Sequence, residues 1–304
     1  MKHLFIVNPA AGGSDKTEEV RARVVSAFAQ RPEDEVEVYV TKAPMDATDK
    51  IRAEAADGKE LRVYACGGDG TFNECAAGVV GLENAAVCPF PTGTGNDFCR
   101  MFGDEKDLFR DLDALIDGTV RPIDAIDCNG RCSVNICSVG IDARIGTNVH
   151  KYTDLPLVGG AAGYVVSAAV EMFKGIAQPM RVSSGDFTGE GEYSLVCVCN
   201  GRFYGGGFNP SPDARPDDGV LDIFIVKKVN ILQFASLIGK YASGRAAELT
   251  KLVTHLQGQE ITIEFDGESV INLDGEAYFT DRAVMRLLPG AVNLIVPKGM
   301  TFFD

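Results

Sequence analysis

The chain has 304 residues, 45% apolar and 24% charged, the composition of an ordinary globular protein long enough for two domains. Its 43 acidic residues against 29 basic ones leave a formal charge of −14. That balance argues against a nucleic-acid binder, because phosphate contacts need a cationic surface. No run approaches the roughly 18 to 20 apolar residues that cross a bilayer, and Leu4 to Val7 is too short for a signal-peptide core, so the sequence predicts a cytoplasmic protein. The nine cysteines lack zinc-type spacing and read as reduced, mostly buried small hydrophobes. His3, His150 and His255 are too scattered for a triad or a metal cluster.

In chain order, Leu4 to Val7, Glu18 to Gln30, Val36 to Val40, Ala47 to Ala56, Leu61 to Cys66 and Phe72 to Val80 alternate short apolar runs with amphipathic stretches. This βαβα rhythm predicts an N-terminal doubly wound α/β domain. Ala86 to Pro89 continues it, Leu108 to Asp117 reads as a helix ending at Gly118, and the domain closes near Pro122, giving 1–122. From 123 to 304 the texture changes to strands joined by Gly, Asp or Asn turns: Ile123 to Ile126, Ser133 to Val139, Met180 to Val182, Tyr193 to Asn200, Val220 to Val226, Glu260 to Phe265, Val270 to Asp274 and Val284 to Leu288. That pattern predicts an antiparallel β-rich, sandwich-like domain. Gly160 to Ile176 and Asn230 to Leu256 read as helical insertions, and Asn293 to Val296 fits either domain, so 292–304 can pack back on the first. Lys227, Lys228, Lys240 and Arg245 flank the second insertion and read first as solvated helix ends, with a local membrane contact as the alternative.

The strongest local signal is Gly67-Gly68-Asp69-Gly70-Thr71-Phe72-Asn73-Glu74, placed after an apolar strand and before a helix. Glycines let backbone N–H groups approach an anion closely, and a helix N-terminus adds favourable partial charge. The same residues also spell a capping box, Thr71-x-x-Glu74, in a tight strand-to-helix turn. A second segment, Gly93-Thr94-Gly95-Asn96-Asp97, follows another short strand. Parallel strands bring both loops to one carboxyl edge, where such sheets bind ligands. Asn8-Pro9-Ala10-Ala11-Gly12 emerges from the first strand toward that edge, and Thr41 ends the second strand there. No Gly-x-x-x-x-Gly-Lys-Ser/Thr loop, dinucleotide fingerprint or His-Arg-Asp motif is present, which excludes a P-loop enzyme, a dehydrogenase and a protein kinase.

With Asn8-Pro9 at the start, Tyr204-Gly205-Gly206-Gly207 and Pro212-Asp213-Ala214-Arg215-Pro216-Asp217-Asp218-Gly219 midway, and Leu273-Asp274-Gly275-Glu276 near the end, the chain resembles the diacylglycerol-kinase-type lipid kinases over nearly its whole length. The soluble bacterial branch of that family is the nearest in kind. The resemblance implies ATP bound near a cleft between the two domains, and transfer of its γ-phosphoryl group to a lipid hydroxyl, with diacylglycerol as the base-rate choice. It implies Asp274 as general base supported by Glu276, a structural Mg2+ site at Asp217 and Asp218 with the carbonyls of Arg215 and Val220, and a catalytic Mg2+ near Asp69, Asp97 or Glu74. Read by itself, Asp274-Gly275 is also a common hairpin turn. Ala11 departs from the family's serine in the first loop, and Lys16 is the nearest cation. The acceptor lipid would be drawn from a membrane by transient contact at the inner face, and the sequence leaves a homodimer open. Two rivals remain. An NAD kinase shares the Gly-Gly-Asp-Gly-Thr loop, but its Thr-Pro-Thr-Gly-Ser-Thr-type segment is not found; a catalytically silent nucleotide- or lipid-sensing module would keep the fold without turnover.

Overall fold

The structure, a computed structural model, describes residues 1–11, 14–93, 96–153 and 175–304. The chain forms two compact units, Met1–Ala125 with Pro289–Asp304, and Ile126–Leu288.

The first unit is built on a parallel sheet. Its strands are β1 (Lys2–Val7), β2 (Glu35–Val40), β3 (Leu61–Gly67) and β4 (Ala85–Pro91), in the order β2-β1-β3-β4. Every position of β3 and β4 is buried, as expected of strands covered on both faces. The helices α1 (Thr17–Phe28), α2 (Asp46–Ala55), α3 (Asp69–Val79), α4 (Asp97–Arg100) and α5 (Leu112–Ile116) connect them. Winding outward from β1 in both directions creates a topological switch point between β1 and β3. The sheet is completed from the far end of the chain, where Leu294 pairs with Val87 of β4. Aromatic stacking of Phe5 on Tyr64, with centroids 4.2 Å apart, ties β1 to β3. The Leu108 to Asp117 stretch is not one helix: a 3-10 segment, Gly103–Arg110, gives way to α5, which Asp111 caps by accepting a bond from the Ala114 amide.

The second unit is antiparallel. β5 (Thr119–Cys128) leads in from the first unit, followed by β6 (Arg131–Ser133), β7 (Ile136–Gly140), β8 (Gln178–Ser184), β9 (Phe187–Cys199), β10 (Leu221–Lys227), β11 (Val253–Gly258), β12 (Glu260–Leu273) and β13 (Glu276–Val296). The order is β11-β10-β9-β7-β12-β13, with β8 pairing both β9 and β12. Alternation along β9 and β10 builds two cores at once: Val196, Val198, Ile223 and Ile225 face one, Leu195, Cys197, Phe224 and Val226 the other. The second of these cores also takes in Ile141 and Ile145 of α6 (Ile141–Thr153) and Tyr241 of α7 (Ile231–Ala242).

The α-helix of the Asn230 to Leu256 insertion ends at Ala242, and only a short 3-10 segment, Ala246–Glu248, follows it. Gly244, at φ 76°, turns the chain, and Val253 and Thr254 begin β11. Most of the predicted helix Gly160 to Ile176 lies outside the described residues. No described helix is long and apolar enough to cross a membrane.

Candidate functional site

Three loops at the carboxyl edge of the first unit's sheet are bonded into one lattice. Asn8, directly after β1, donates from its side-chain amide to Thr71 Oγ1 at 3.3 Å, across the switch point, and its Oδ1 accepts from the Ala10 amide at 3.0 Å. Asp69, the first residue of α3, accepts from the amides of Asp97 and Phe98 at 3.0 and 3.1 Å. Asn96 Oδ1 accepts from the Cys99 amide at 2.8 Å and caps α4. An arginine closes the outside of the third loop, where Arg110 donates to the Gly93 carbonyl. Thr41, at the end of β2, donates its amide to the Val7 carbonyl at 2.9 Å. Pro9 and Ala11 are half-buried and Ala10 is exposed beside them; Gly12, Thr94 and Gly95 lie outside the described residues.

The capping-box reading of Thr71 and Glu74 does not hold. The N-cap of α3 is Gly68, with no side-chain cap, and the Glu74 carboxylate instead accepts from the Ala47 amide at 2.9 Å, tying α3 to α2. Asn73, the neighbour of Glu74 on α3, is half-buried. Among the described residues, no side chain caps the first turn of this 11-residue helix, which sits in the middle of the loop lattice. The glycines differ in purpose. A Cβ on Gly67 would lie 2.3 Å from Thr71 Oγ1, so that glycine serves the fold. A Cβ on Gly68 would meet nothing within 4 Å, and its extended backbone (φ −103°, ψ −162°) is open to any residue. Among the described residues nothing fills the space above Gly68, and Gly70 follows it in the first turn of α3.

The three carboxylates expected near a catalytic Mg2+ are all tied into the protein: Asp69 and Glu74 as above, and Asp97 by Arg100 at 3.0 Å. Among the described residues no group of three or more His, Cys, Asp or Glu side chains could by itself hold a metal. At the candidate structural cation site, Asp217 and Asp218 each have a partner of their own. Asp217 is paired with the Arg215 guanidinium at 3.1 Å, and Asp218 accepts from the Val220 amide at 3.0 Å.

In the second unit, Asp274 and Gly275 form a two-residue hairpin between β12 and β13, with φ of 51° and 98°. These are the paired positive angles of a tight primed turn. The Asp274 carboxylate accepts from the amides of Val134 (2.7 Å), Asn135 (3.2 Å) and Ile136 (2.8 Å), so three successive N–H groups cradle it. Glu276 opens β13 and is exposed.

The second unit also holds a cavity of about 900 Å³, its open mouth included, which the sequence reading did not locate. Apolar side chains such as Ile145, Leu195, Val226, Phe234 and Leu237 line it. Its polar groups are few and connected. Tyr204 donates to Asp142 at 2.9 Å, the Tyr204 and Tyr241 hydroxyls lie 3.1 Å apart, and Asn272 Oδ1 accepts from the Gly275 amide at 2.7 Å. Asn272 thereby joins the cavity wall to the Asp274 hairpin. Burial pushes the Asp142 carboxyl up to about 6, against hydrogen bonds from Ser138 and Tyr204 that favour its charged form. The trace of this site in the sequence is Tyr204-Gly205-Gly206-Gly207; nothing local marks Asp142 or Asn272.

The diacylglycerol kinase catalytic domain matches residues 2–128, and the YegS C-terminal NAD kinase beta sandwich-like domain matches 135–296. The chain belongs to the diacylglycerol-kinase-type lipid kinase family. Among its relatives is a Pseudomonas aeruginosa protein named "Probable lipid kinase YegS-like", 33% identical over 98% of this chain and 95% of its own length. A Bacillus subtilis protein named diacylglycerol kinase is 28% identical over 91% of this chain and 90% of its own length. The crystal structure of a diacylglycerol kinase from Bacillus anthracis superposes with a TM-score of 0.70 at 27% identity, covering 99% of this chain and 98% of that one. In this family's terms, the loop lattice lies in the catalytic-domain match, and the Asp274 hairpin and the cavity lie in the C-terminal match.

Proposed function

We propose that this lipid kinase binds ATP on the loop lattice of its first unit and transfers the γ-phosphoryl group to the hydroxyl of diacylglycerol, giving phosphatidic acid. The observation that carries the nucleotide half is the N-terminus of α3: among the described residues no side chain caps it and none fills the space over Gly68, and the Asn8–Thr71 and Asp69–Asp97 bonds fix the loops around it. Such a cradle binds phosphate through backbone dipoles, which suits a chain of net charge −14 with no P-loop lysine. A Mg2+ ion bound chiefly by the triphosphate itself would neutralise charge there.

The acceptor half rests on the apolar cavity and on Asp274. A mostly hydrocarbon-lined cavity with one polar end suits an acyl chain carrying a hydroxyl-bearing head. Asp274 is our candidate to accept the hydroxyl proton, or to orient that hydroxyl, with Glu276 two residues on. Its amide cradle fixes the carboxylate in place, and positioning accounts for most of the catalysis in phosphoryl transfer. The acceptor is drawn from a membrane surface, approached from the cytoplasm.

The test is transfer of labelled γ-phosphate from ATP and Mg2+ to diacylglycerol in mixed micelles, beside an Asp274→Asn variant and a reaction with NAD as the only acceptor. Labelled phosphatidic acid that disappears in the variant is the expected result. Label in NADP would replace this reading with an NAD kinase, and ATP binding without transfer to any lipid would favour a sensing module.

A further inference from the structure

The helix that walls the cavity has a second surface. Phe234, Leu237 and Tyr241 of α7 line the cavity, but at the helix's first turn Ile231 is 46% exposed and Leu232 82% exposed. Large apolar side chains this open are few in the described structure, and these two are adjacent. A complete capping box fixes their presentation: Asn230 accepts from the Gln233 amide and Gln233 accepts from the Asn230 amide, both at 2.9 Å.

Cations frame the pair. Lys227 and Lys228 precede it and are exposed. The Lys227 amide donates to the Leu252 carbonyl at 2.9 Å, which sets exposed Lys251 on the neighbouring chain segment. Of the acidic groups around this turn, Glu192 pairs with Lys228, while Glu248 pairs with Lys240 at the other end of the helix. In a chain of net charge −14, three lysines around two bare aliphatic side chains depart from the average surface.

We propose that the first turn of α7 is a bilayer-docking edge, with Ile231 and Leu232 entering the interface and Lys227, Lys228 and Lys251 meeting anionic lipid headgroups. The proposal rests on the lipid-acceptor reading above and adds to it the route by which the acceptor is reached: the helix that contacts the membrane is the helix that lines the cavity. A bilayer fits this patch better than a protein does. Lysine is depleted at protein interfaces, whereas flexible lysines beside aliphatic anchors suit a fluid anionic surface.

The experiment is co-sedimentation of the full chain with vesicles of phosphatidylcholine alone and of phosphatidylcholine with phosphatidylglycerol. Transfer to a water-dispersed short-chain diacylglycerol is measured in parallel, and a melting curve confirms that each variant is folded. We expect binding to the anionic vesicles that weakens at high salt, and a loss of about tenfold or more in Ile231→Ser/Leu232→Ser with short-chain activity unchanged. A Lys227→Gln/Lys251→Gln variant should lose most of the preference for anionic vesicles. Equal sedimentation of the wild type and the serine variant would overturn the proposal. So would light scattering that shows the serine changes dissolving a dimer while vesicle binding persists, which would make the turn a chain–chain contact. If no acceptor is phosphorylated yet vesicle binding still depends on Ile231 and Leu232, the acceptor assignment falls and the docking edge stands.

Discussion

The carboxylate of Asp69 bridges two glycine loops by accepting the amides of both Asp97 and Phe98. In Asp69→Asn one oxygen becomes a donor facing an N–H group, a mismatch that costs about 1–3 kcal/mol. We expect urea unfolding to show that loss and calorimetry to show ATP binding weakened about tenfold or more. Unchanged ATP affinity in a folded variant would separate this bridge from the nucleotide.

Gly67 and Gly68 should respond oppositely to alanine. Gly67→Ala drives a methyl group into Thr71 and should lower the melting temperature. Gly68→Ala fits the backbone and the space, so stability should change by less than about 0.5 kcal/mol while KM for ATP rises several-fold. Normal ATP kinetics in Gly68→Ala would remove phosphate from the space above it.

For Asp274 the structure predicts a double effect. Asn at this position turns one acceptor against the cradle of Val134 to Ile136 amides, and stability should fall by about 1–3 kcal/mol. Transfer should fall by at least about a hundredfold while ATP binding is kept. A loss of transfer no greater than the unfolded fraction explains would leave Asp274 a purely structural anchor.

His3 should dominate one part of the acid limb. Burial, opposed in part by Asp34, lowers its pKa to about 4, and its Nδ1 lies 2.8 Å from the Tyr64 hydroxyl. A folded-state pKa below the ordinary 6.5 makes its contribution complete above pH 6.5, and the contribution is lost as pH falls toward 4. The span amounts to about 3 kcal/mol. In His3→Gln, stability measured between pH 7 and 4.5 should decline less steeply than in the wild type.

Asp142 has the opposite sign. A carboxyl raised to about 6 is protonated in the fold at a pH where the unfolded chain is already ionised, so stability falls as pH rises from about 4 to 6 and the cost persists above that. Asp142→Asn, which keeps an acceptor for Tyr204, should gain on the order of 2 kcal/mol at pH 7.5, with little change at pH 4, the figure being discounted because the side chain is partly open to the cavity. Equal gains at both pH values would mean that the effect is not one of ionisation.

The parallel rhythm of the first unit and its glycine turns were legible because burial on both faces writes continuous apolar runs, and because tight strand-to-helix turns need particular residues. Glu74 was not, because its partner Ala47 lies 27 positions away and nothing local distinguishes it from a capping glutamate. Helical spacing carried the reading of Asn230 to Leu256 past its end, since Leu249 and Leu252 keep apolar positions that pack on the same core without being helical. The cavity was illegible for a physical reason as well: core and pocket walls are made of the same side chains, and only the third dimension says which of them leave space between them.

The strand segment beside β4 comes from the far end of the chain. A ribosome therefore releases the opening segments of the first unit well before their last neighbour, with an interval of roughly ten to forty seconds at ordinary elongation rates. Until then β4 offers a wholly apolar strand with one side unpaired, a template for unwanted association. The second unit, continuous in sequence, has its full complement first. Truncation near the carboxyl terminus would therefore injure the first unit, the one encoded at the opposite end of the message.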